Sequence, residues 1–223
     1  MKTDIRDYLY SSLSISFLLA ISILITCLLS GAIDSISGIR NLLLSILLFI
    51  AVYGLSTVIY VGALSRIYPL KEGAYEMDHA QFTLWKHHAI TGELGRAAIR
   101  LFIFPVFLRP LFYSLFGAKI GRYVAIGGTI TDPLLIKVDD YAILGQDSVL
   151  TSHTMIFNKF YLKPITVGKG ATVGINAVIM PGVEIGENSV VAPGAVVSMD
   201  TKIPPNEFWG GVPARKIKDL EPL

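Results

Sequence analysis

Residues 167–197 read "VGKGATVGINAVIMPGVEIGENSVVAPGAVV", and an aliphatic residue arrives at every sixth position: Val167, Val173, Ile179, Ile185, Val191 and Val197. A helix has no use for that spacing, because 3.6 residues per turn would smear a period of six around its axis. Short strands joined by tight corners do use it. Each hexapeptide then supplies one strand and one corner, with the aliphatic side chain turned inward.

Working outward, the beat reaches Ile203 on one side. On the other it is met again at Ile120, Ile126, Asp132, Val138, Leu144 and Leu150, so twelve of thirteen positions are aliphatic and Asp132 is the exception. A small or apolar residue follows four places after each of the first twelve: Val124, Ile130, Ile136, Ala142, Ser148 and Thr154, then Ala171, Ala177, Val183, Ser189, Ala195 and Thr201. Glycine often comes directly after the aliphatic residue, as at Gly121, Gly127, Gly145, Gly168, Gly174 and Gly186, and is expected to supply a corner backbone without steric cost. Three hexapeptides close a triangular coil of 18 residues, and stacked coils pair as parallel strands about 4.8 Å apart. Thirteen hexapeptides make a little over four coils, each covering the hydrophobic face of its neighbour.

The beat slips once. From Ile156 to Val167 is eleven residues, one hexapeptide plus five. A closed coil has no room for five extra residues in its wall, so an outward loop is expected within "FNKFYLKP", residues 157–164. His153 directly precedes it and is the one histidine of 120–223. It lies three places after the inward Leu150 and one before the inward Thr154, so strand alternation sends it outward.

The start of the chain differs in composition. Overall 52% of residues are hydrophobic and 16% charged, too apolar for an ordinary soluble domain. No charge interrupts Asp7 to Asp34, which includes "SISFLLAISILITCLLS", or Arg40 to Arg66, which includes "NLLLSILLFIAVYGLSTVIYVGALS". Both exceed the roughly 20 apolar residues that span a bilayer, so 1–66 is expected to be a two-helix transmembrane hairpin rather than a buried soluble one. A cleaved signal peptide fits poorly, because the apolar part is too long and Asp4 and Asp7 spoil a basic leader. Lys2 and Arg6 precede the first span, Arg40 is the one base of the 31–40 turn, and Arg66, Lys71, Lys86, Arg96 and Arg100 follow the second. Bases favour the cytoplasmic side, which puts both termini and the rest of the chain there. Cys27, the single cysteine, lies inside the first span, excluding disulfides and cysteine-based metal sites. A net charge of +2 without a basic stripe argues against a nucleic-acid partner.

Residues 67–119 connect the hairpin to the repeat at 120–223. "LWKHHAITGELGRAAIRLFIFPVFLRPLFYSLFGAK" mixes bases with Phe, Leu and Ile and reads as short helices broken at Pro105 and Pro110. It fits a segment lying in the membrane interface or a packing collar for the next domain. His79, His87 and His88 have no acidic or cysteine partner at ligand spacing and read as surface or interfacial residues.

The repeat, the entry "LFGAKIGRYVAIGGTITDP" and the closing "IPPNEFWGGVPARKI" together resemble the hexapeptide-repeat acyltransferases, in their O-acetyltransferase branch and a membrane-tethered subgroup. The resemblance covers roughly 117–218. It implies a left-handed parallel β-helix, where general sheet rules would favour right-handed crossovers. It also implies a homotrimer with the cleft between adjacent prisms. Matching "LTSHT" to the family makes His153 the general base. Imidazole, ordinarily titrating near about 6.5, suits that task. The acceptor alkoxide would attack a thioester carbonyl, and backbone N–H groups would hold the oxyanion. Acetyl-CoA would lie beside the small residues Gly174 and Ala192, with Arg215 and Lys216 toward its phosphates and adenine. Relatives carry a base where this chain has Met199 after Ser198; Lys202 is the expected substitute. Trp209 would cap the last coil or pack over the adenine. No metal is implied.

The resemblance thus leads to a membrane-anchored acyl-CoA-dependent O-acyltransferase. It would move an acetyl or other short acyl group to a hydroxyl of a sugar, lipid-linked glycan or lipid headgroup. Anchoring would concentrate a lipid-attached acceptor. A γ-type carbonic anhydrase needs three histidines around zinc, against one in 120–223. A sugar nucleotidyltransferase needs a nucleotide-binding domain where the apolar hairpin stands. A non-catalytic membrane-anchored scaffold is the remaining alternative. It has no need of the loop, the histidine beside it, or the Gly-Val-Pro-Ala-Arg ending.

Overall fold

A computed structural model describes residues 5–37, 42–101 and 106–221. Lys2, Asp4, Arg40 and Pro105 lie outside these residues, as do the side chains of Arg6, Arg96 and Arg100. The chain divides into two compact units: Met1–Tyr68 with Thr83–Ile103, and Pro69–Phe82 with Phe104–Leu223. The segment 67–119 is thereby shared between them.

The first unit holds α1 (Ile5–Ser37), α2 (Leu42–Ile67) and most of α3 (Ala80–Leu101). Two stretches are long and apolar enough to cross a membrane. They are Asp7–Ser35, 29 residues with mean hydropathy 2.4, and Leu42–Ile67, 26 residues with mean hydropathy 2.5. The turn expected at 31–40 is helical through Ser37, because nothing before it breaks the helix.

α3 is longer than the short helices expected, at 22 residues. Its Lys86 pairs with Asp7 of α1, both side chains being largely buried. His87 Nε2 lies 2.7 Å from Ser14 Oγ and 3.2 Å from Tyr60 Oη, and burial lowers its pKa below the ordinary imidazole value. His88 is buried, its Nε2 3.1 Å from the Tyr68 carbonyl. Of the three histidines read as surface or interfacial, only His79 in the second unit is exposed. The other two fill space between helices, where an imidazole can be bonded.

The second unit is a triangular prism with three walls of parallel strands. The first wall runs through Lys119–Ile120, Ile136–Val138, Ile165–Val167, Glu184–Ile185 and Lys202–Ile203. The second runs through Ala125–Ile126, Ile143–Leu144, Thr172–Val173, Val190–Val191 and Glu207–Gly211, and Ala214–Asp219 closes it antiparallel. The third holds Thr129–Ile130, Val149–Leu150, Val178–Ile179 and Val196–Val197. Inside, Ile126, Ile130, Leu150, Val167, Val173, Ile179, Val191 and Val197 are fully buried. The smaller Ala142, Ala171, Ala177, Ser148 and Ser189 are buried beside them.

The glycines act otherwise than expected. The left-handed backbone falls three residues after ten of the twelve aliphatic positions, all but Ile126 and Leu150, at Tyr123, Tyr141, Asp147, Gly170, Asn176, Gly182, Asn188, Gly194, Asp200 and Asn206. Asn and Asp tolerate it better than most side chains. The glycine next to the aliphatic residue serves clearance instead. A Cβ on Gly174 would stand 2.4 Å from Pro193 N, and one on Gly186 2.4 Å from Pro205 N, both backbone of the coil above.

The open end of the first coil is plugged by α4 (Arg109–Leu115), whose Phe112 and Tyr113 are buried with the following Phe116. Tyr113 Oη accepts from Ile130 N at 3.2 Å, and Arg109 Nη1 donates to the Gly127 carbonyl at 2.8 Å. Pro110 does not break this helix but sits in its first turn, where its missing N–H has no partner to lose.

Candidate active site

The third-to-first corner of the prism departs from the repeat. After Leu150 the chain leaves the wall and returns only at Ile165, which pairs with Ile136. The excursion is an antiparallel hairpin, His153–Ile156 with Lys159–Leu162, turning at Phe157 and Asn158. Gly73–Glu76 adds a third strand on the Lys159–Leu162 side. Phe160 and Leu162 are fully buried, and Phe160 meets Phe82 with ring centroids 5.0 Å apart; burying such a ring stabilises by about 1.5–3 kcal/mol. Lys163 N donates to the Ser152 carbonyl at 2.9 Å and closes the hairpin's base.

The insertion therefore begins earlier than the counting implied. Ile156 is 39% exposed and holds no wall position, and Thr154 is half-buried in the hairpin rather than inside the prism. A period of six cannot tell at which residue the chain leaves the wall. Strand pairing with Lys159–Leu162 decides it.

A second slip lies one coil below, at the same corner. Ile130, not Asp132, pairs with Leu150, so Asp132 is displaced from the inward series into the corner. The turn Pro133–Leu135 carries the chain back to the first wall. Asp132 is 5% exposed, a burial tolerated only when the carboxylate is satisfied. Its Oδ2 receives Ser152 N at 3.1 Å and Thr131 Oγ1 at 2.9 Å, and lies 2.6 Å from His153 Nδ1. Thr151 Oγ1 is 3.3 Å from the same Nδ1 and donates to the His153 carbonyl at 3.1 Å.

The His153 side chain keeps 26% of its surface exposed. A proton on Nδ1, shared with Asp132, leaves the lone pair of a neutral ring on Nε2. With the proton there, the buried carboxylate would hold the ring in one tautomer. Sequence reasoning passed over Asp132. The signal was available: it is the one charged residue in a series of thirteen otherwise aliphatic positions.

The other expected site residues fall into two groups. Gly174 N donates to the Val191 carbonyl at 2.8 Å, and Ala192 N to the Trp209 carbonyl at 2.7 Å. Both therefore stand on the second-to-third corner in successive coils. Gly210 adjoins Ala192 and pairs with Arg215, which brings Arg215 to the top of that column. Lys216 is next along, but its ammonium is taken up by Glu207 Oε1 and Asp219 Oδ1, each at 2.7 Å. Those bonds, Asp219 first, raise its pKa above the ordinary lysine value. Trp209 Nε1 donates to Glu207 Oε2 at 2.7 Å.

Lys202 is elsewhere. It lies on the first wall, 2.9 Å from Glu184, in a shallow groove that also holds Glu72, Lys163 and Asp200. The structure brings Gly174, Ala192 and Arg215 together and leaves Lys202 apart, because the wall a side chain joins follows from its place within the 18-residue coil. Within one chain the third wall separates the Gly174–Ala192 corner from the His153–Asp132 corner.

Comparison with known proteins agrees with this architecture. The bacterial transferase hexapeptide (six repeats) family model matches residues 164–198. Protein CapG of Staphylococcus aureus is 40% identical over 99 residues, 41% of this chain and 56% of that protein. Galactoside O-acetyltransferase of Escherichia coli K12 is 34% identical over 124 residues, 51% of this chain and 60% of that protein. The chain thus spans under two thirds of either relative. A solved hexapeptide-repeat acetyltransferase of Vibrio cholerae, complexed with acetyl coenzyme A, aligns at 28% identity over 48% of this chain and 62% of that one, with a TM-score of 0.44. Residues 164–198 thus carry the bacterial transferase hexapeptide repeat, and over part of its length the chain is similar in sequence to a galactoside O-acetyltransferase.

Proposed function

We propose that this chain is a membrane-anchored acetyltransferase that moves an acetyl group from acetyl-CoA to a sugar hydroxyl, with His153 as general base. The observation that carries the reading is the 2.6 Å contact between His153 Nδ1 and the buried Asp132 carboxylate, at the corner where the hairpin leaves the prism. The likeness to a galactoside O-acetyltransferase supports the sugar acceptor and the acetyl donor.

In the proposed reaction His153 Nε2 takes the proton of the acceptor hydroxyl as its oxygen attacks the thioester carbonyl. The imidazolium that forms is stabilised by Asp132, the positioning residue. The tetrahedral intermediate collapses, the carbon–sulfur bond breaks, and His153 returns its proton to the departing thiolate. No covalent acyl-enzyme is formed. The coenzyme would run along the column of Gly174, Ala192 and Arg215. At Gly174 even one Cβ collides with the coil above. Lys216 serves the closing strand through Glu207 and Asp219, and Lys202 serves the first wall, so neither is assigned a coenzyme phosphate.

The two half-sites flank the third wall from opposite corners. A trimer around a threefold axis would bring the base of one copy to the donor column of the next. The two apolar helices would anchor the prism on the cytoplasmic side, near a lipid-linked sugar or a soluble one.

The test is thiol release from acetyl-CoA by the full-length chain, with galactosides and membrane glycolipids as acceptors. His153→Ala is expected to lose about 10²–10⁴-fold in kcat with acetyl-CoA affinity retained. A wild-type rate in that variant removes His153 from the chemistry. Failure of the parent chain to bind acetyl-CoA at all would favour a scaffold.

A further inference from the structure

One helix of the second unit has two apolar faces, and the prism uses only one. Toward the first coil α4 buries Phe112 and Tyr113, with Phe116 following. On the other side Phe107 is 76% exposed, Leu111 60% and Leu115 51%, with Val106 at 46% beside them. Their spacing of four places them along one side of the helical stretch. A soluble prism needs no such stripe, because its end is already closed by the opposite face.

Along the chain, the charges that follow the start of this helical stretch are basic. From Val106 to Thr131 the sequence holds three bases, Arg109, Lys119 and Arg122, and no acid. Arg109 donates to the Gly127 carbonyl and Arg122 lies 3.4 Å from Asp140. Lys119 is exposed on the first strand. Tyr123 in the first coil is 77% exposed and stacks on Tyr141 with centroids 5.2 Å apart. An exposed apolar stripe, with Arg109 on its helix and further bases and exposed tyrosines following in the sequence, matches the chemistry of an anionic membrane surface.

We propose that the Phe107–Leu111–Leu115 face of α4 docks on the surface of an anionic bilayer, so that one helix plugs the prism and seats it on the membrane. The sequence offered an interfacial segment and a packing collar as alternatives; in α4 they are opposite faces of one helix. This docking is separate from anchoring by α1 and α2 and from the chemistry of His153. Its failure would leave both in place, read by membrane retention and by thiol release.

The experiment uses the full chain with Cys27→Ser, reconstituted in phosphatidylglycerol nanodiscs. Leu111→Cys, Leu115→Cys and, as a control in a later coil, Ile175→Cys each carry a polarity-sensitive fluorophore. The labels at 111 and 115 are expected to shift to the blue and to lose most of their emission to lipid-borne nitroxides. The shallow probes that sample the first 5–10 Å or so below the headgroups should quench best. The label at 175 stays unquenched. Zwitterionic lipid or high salt reduces the effect, and Lys119→Glu reduces it in anionic lipid only. Emission at 111 and 115 matching that at 175 overturns the proposal. So does shielding without quenching, or disulfide formation between Leu111→Cys of two copies, since either means that protein covers the face.

Discussion

The coils above Ile165 and those below it share a cross-section and differ in register. In the upper coils Val167 pairs with Ile185, Val173 with Val191, Ile179 with Val197 and Ile185 with Ile203, each 18 residues on. Below, Ile130 pairs with Leu150, 20 residues on, and Leu150 with Ile179, 29 on. Both departures fall at the corner between the third and first walls, where Asp132 and His153 meet. A closed coil has no spare wall in which to put a reactive side chain, so chemistry accumulates where the chain steps out of line. The upper coils are a scaffold with a smooth column of small residues; the lower ones hold His153 and the buried Asp132 carboxylate beside it.

The comparison breaks most completely if the insertion is removed. Excising residues 153–163 leaves Leu150 six places before the residue now at Val167 and restores the 18-residue coil. The three-walled prism is expected to persist, seen as an unchanged β signal in circular dichroism, while acetyl transfer falls to background. Loss of the prism as well would mean that the hairpin is structural rather than added. The matching change in the upper coils is Ile179→Ala, which empties a fully buried position. It should cost roughly 2–5 kcal/mol of stability while leaving kcat intact in the folded fraction, checked by denaturant melts and turnover below the transition.

Asp132→Asn sharpens the comparison at a single carboxylate. The amide still fills the corner but lacks the charge that stabilises a protonated ring. Turnover should drop on the order of 10–100-fold, by analogy with partners that orient metal-bound imidazoles, with KM for acetyl-CoA unchanged. Equal losses in kcat and in acetyl-CoA affinity would show a general distortion.

These outcomes also mark what was legible beforehand. Six hexapeptides at 167–203 specify walls, interior and coil length because each repeats the same steric demand. His153 stood out for the same reason, as an imidazole beside the break. Asp132 did not, because the series was extended through it as though the period still held. Ile130, four residues after Ile126, takes the wall position, and only the backbone pairing with Leu150 reveals it. The Gly73–Glu76 strand was equally hidden: "GAYE" has no period, and its partner Lys159–Leu162 lies over eighty residues away. The roles of the glycines were misread because sequence shows which residue lacks a Cβ, not which neighbour it must clear. Lys202, Arg215 and Lys216 are near in sequence, yet the first stands on another wall and the last is held by two carboxylates.

The smallest expected effect concerns the closing strands of the upper coils. Glu207 is held below the ordinary carboxylate pKa first by its hydrogen bond from Lys216 and then by that from Trp209. A carboxyl lowered on folding contributes stability above its unfolded pKa and loses it as pH falls through the folded value. The gain from this group is therefore complete at neutral pH and disappears in acid below about 4.5, the ordinary glutamate value. Lys216, raised by Asp219 and Glu207, contributes at every pH below the ordinary lysine value and fails only in strong alkali. Across the neutral range the pair is constant, and salt weakens it because the ammonium side is open to water. Amide exchange in Glu207–Gly211 and Ala214–Asp219 should speed up in the parent chain as pH drops through this acid window, beyond the intrinsic change. In Glu207→Gln it should already be fast at neutral pH and show no such step, while the hairpin at His153–Leu162 responds alike in both. A step of equal size in the variant would assign the acid sensitivity to another carboxylate.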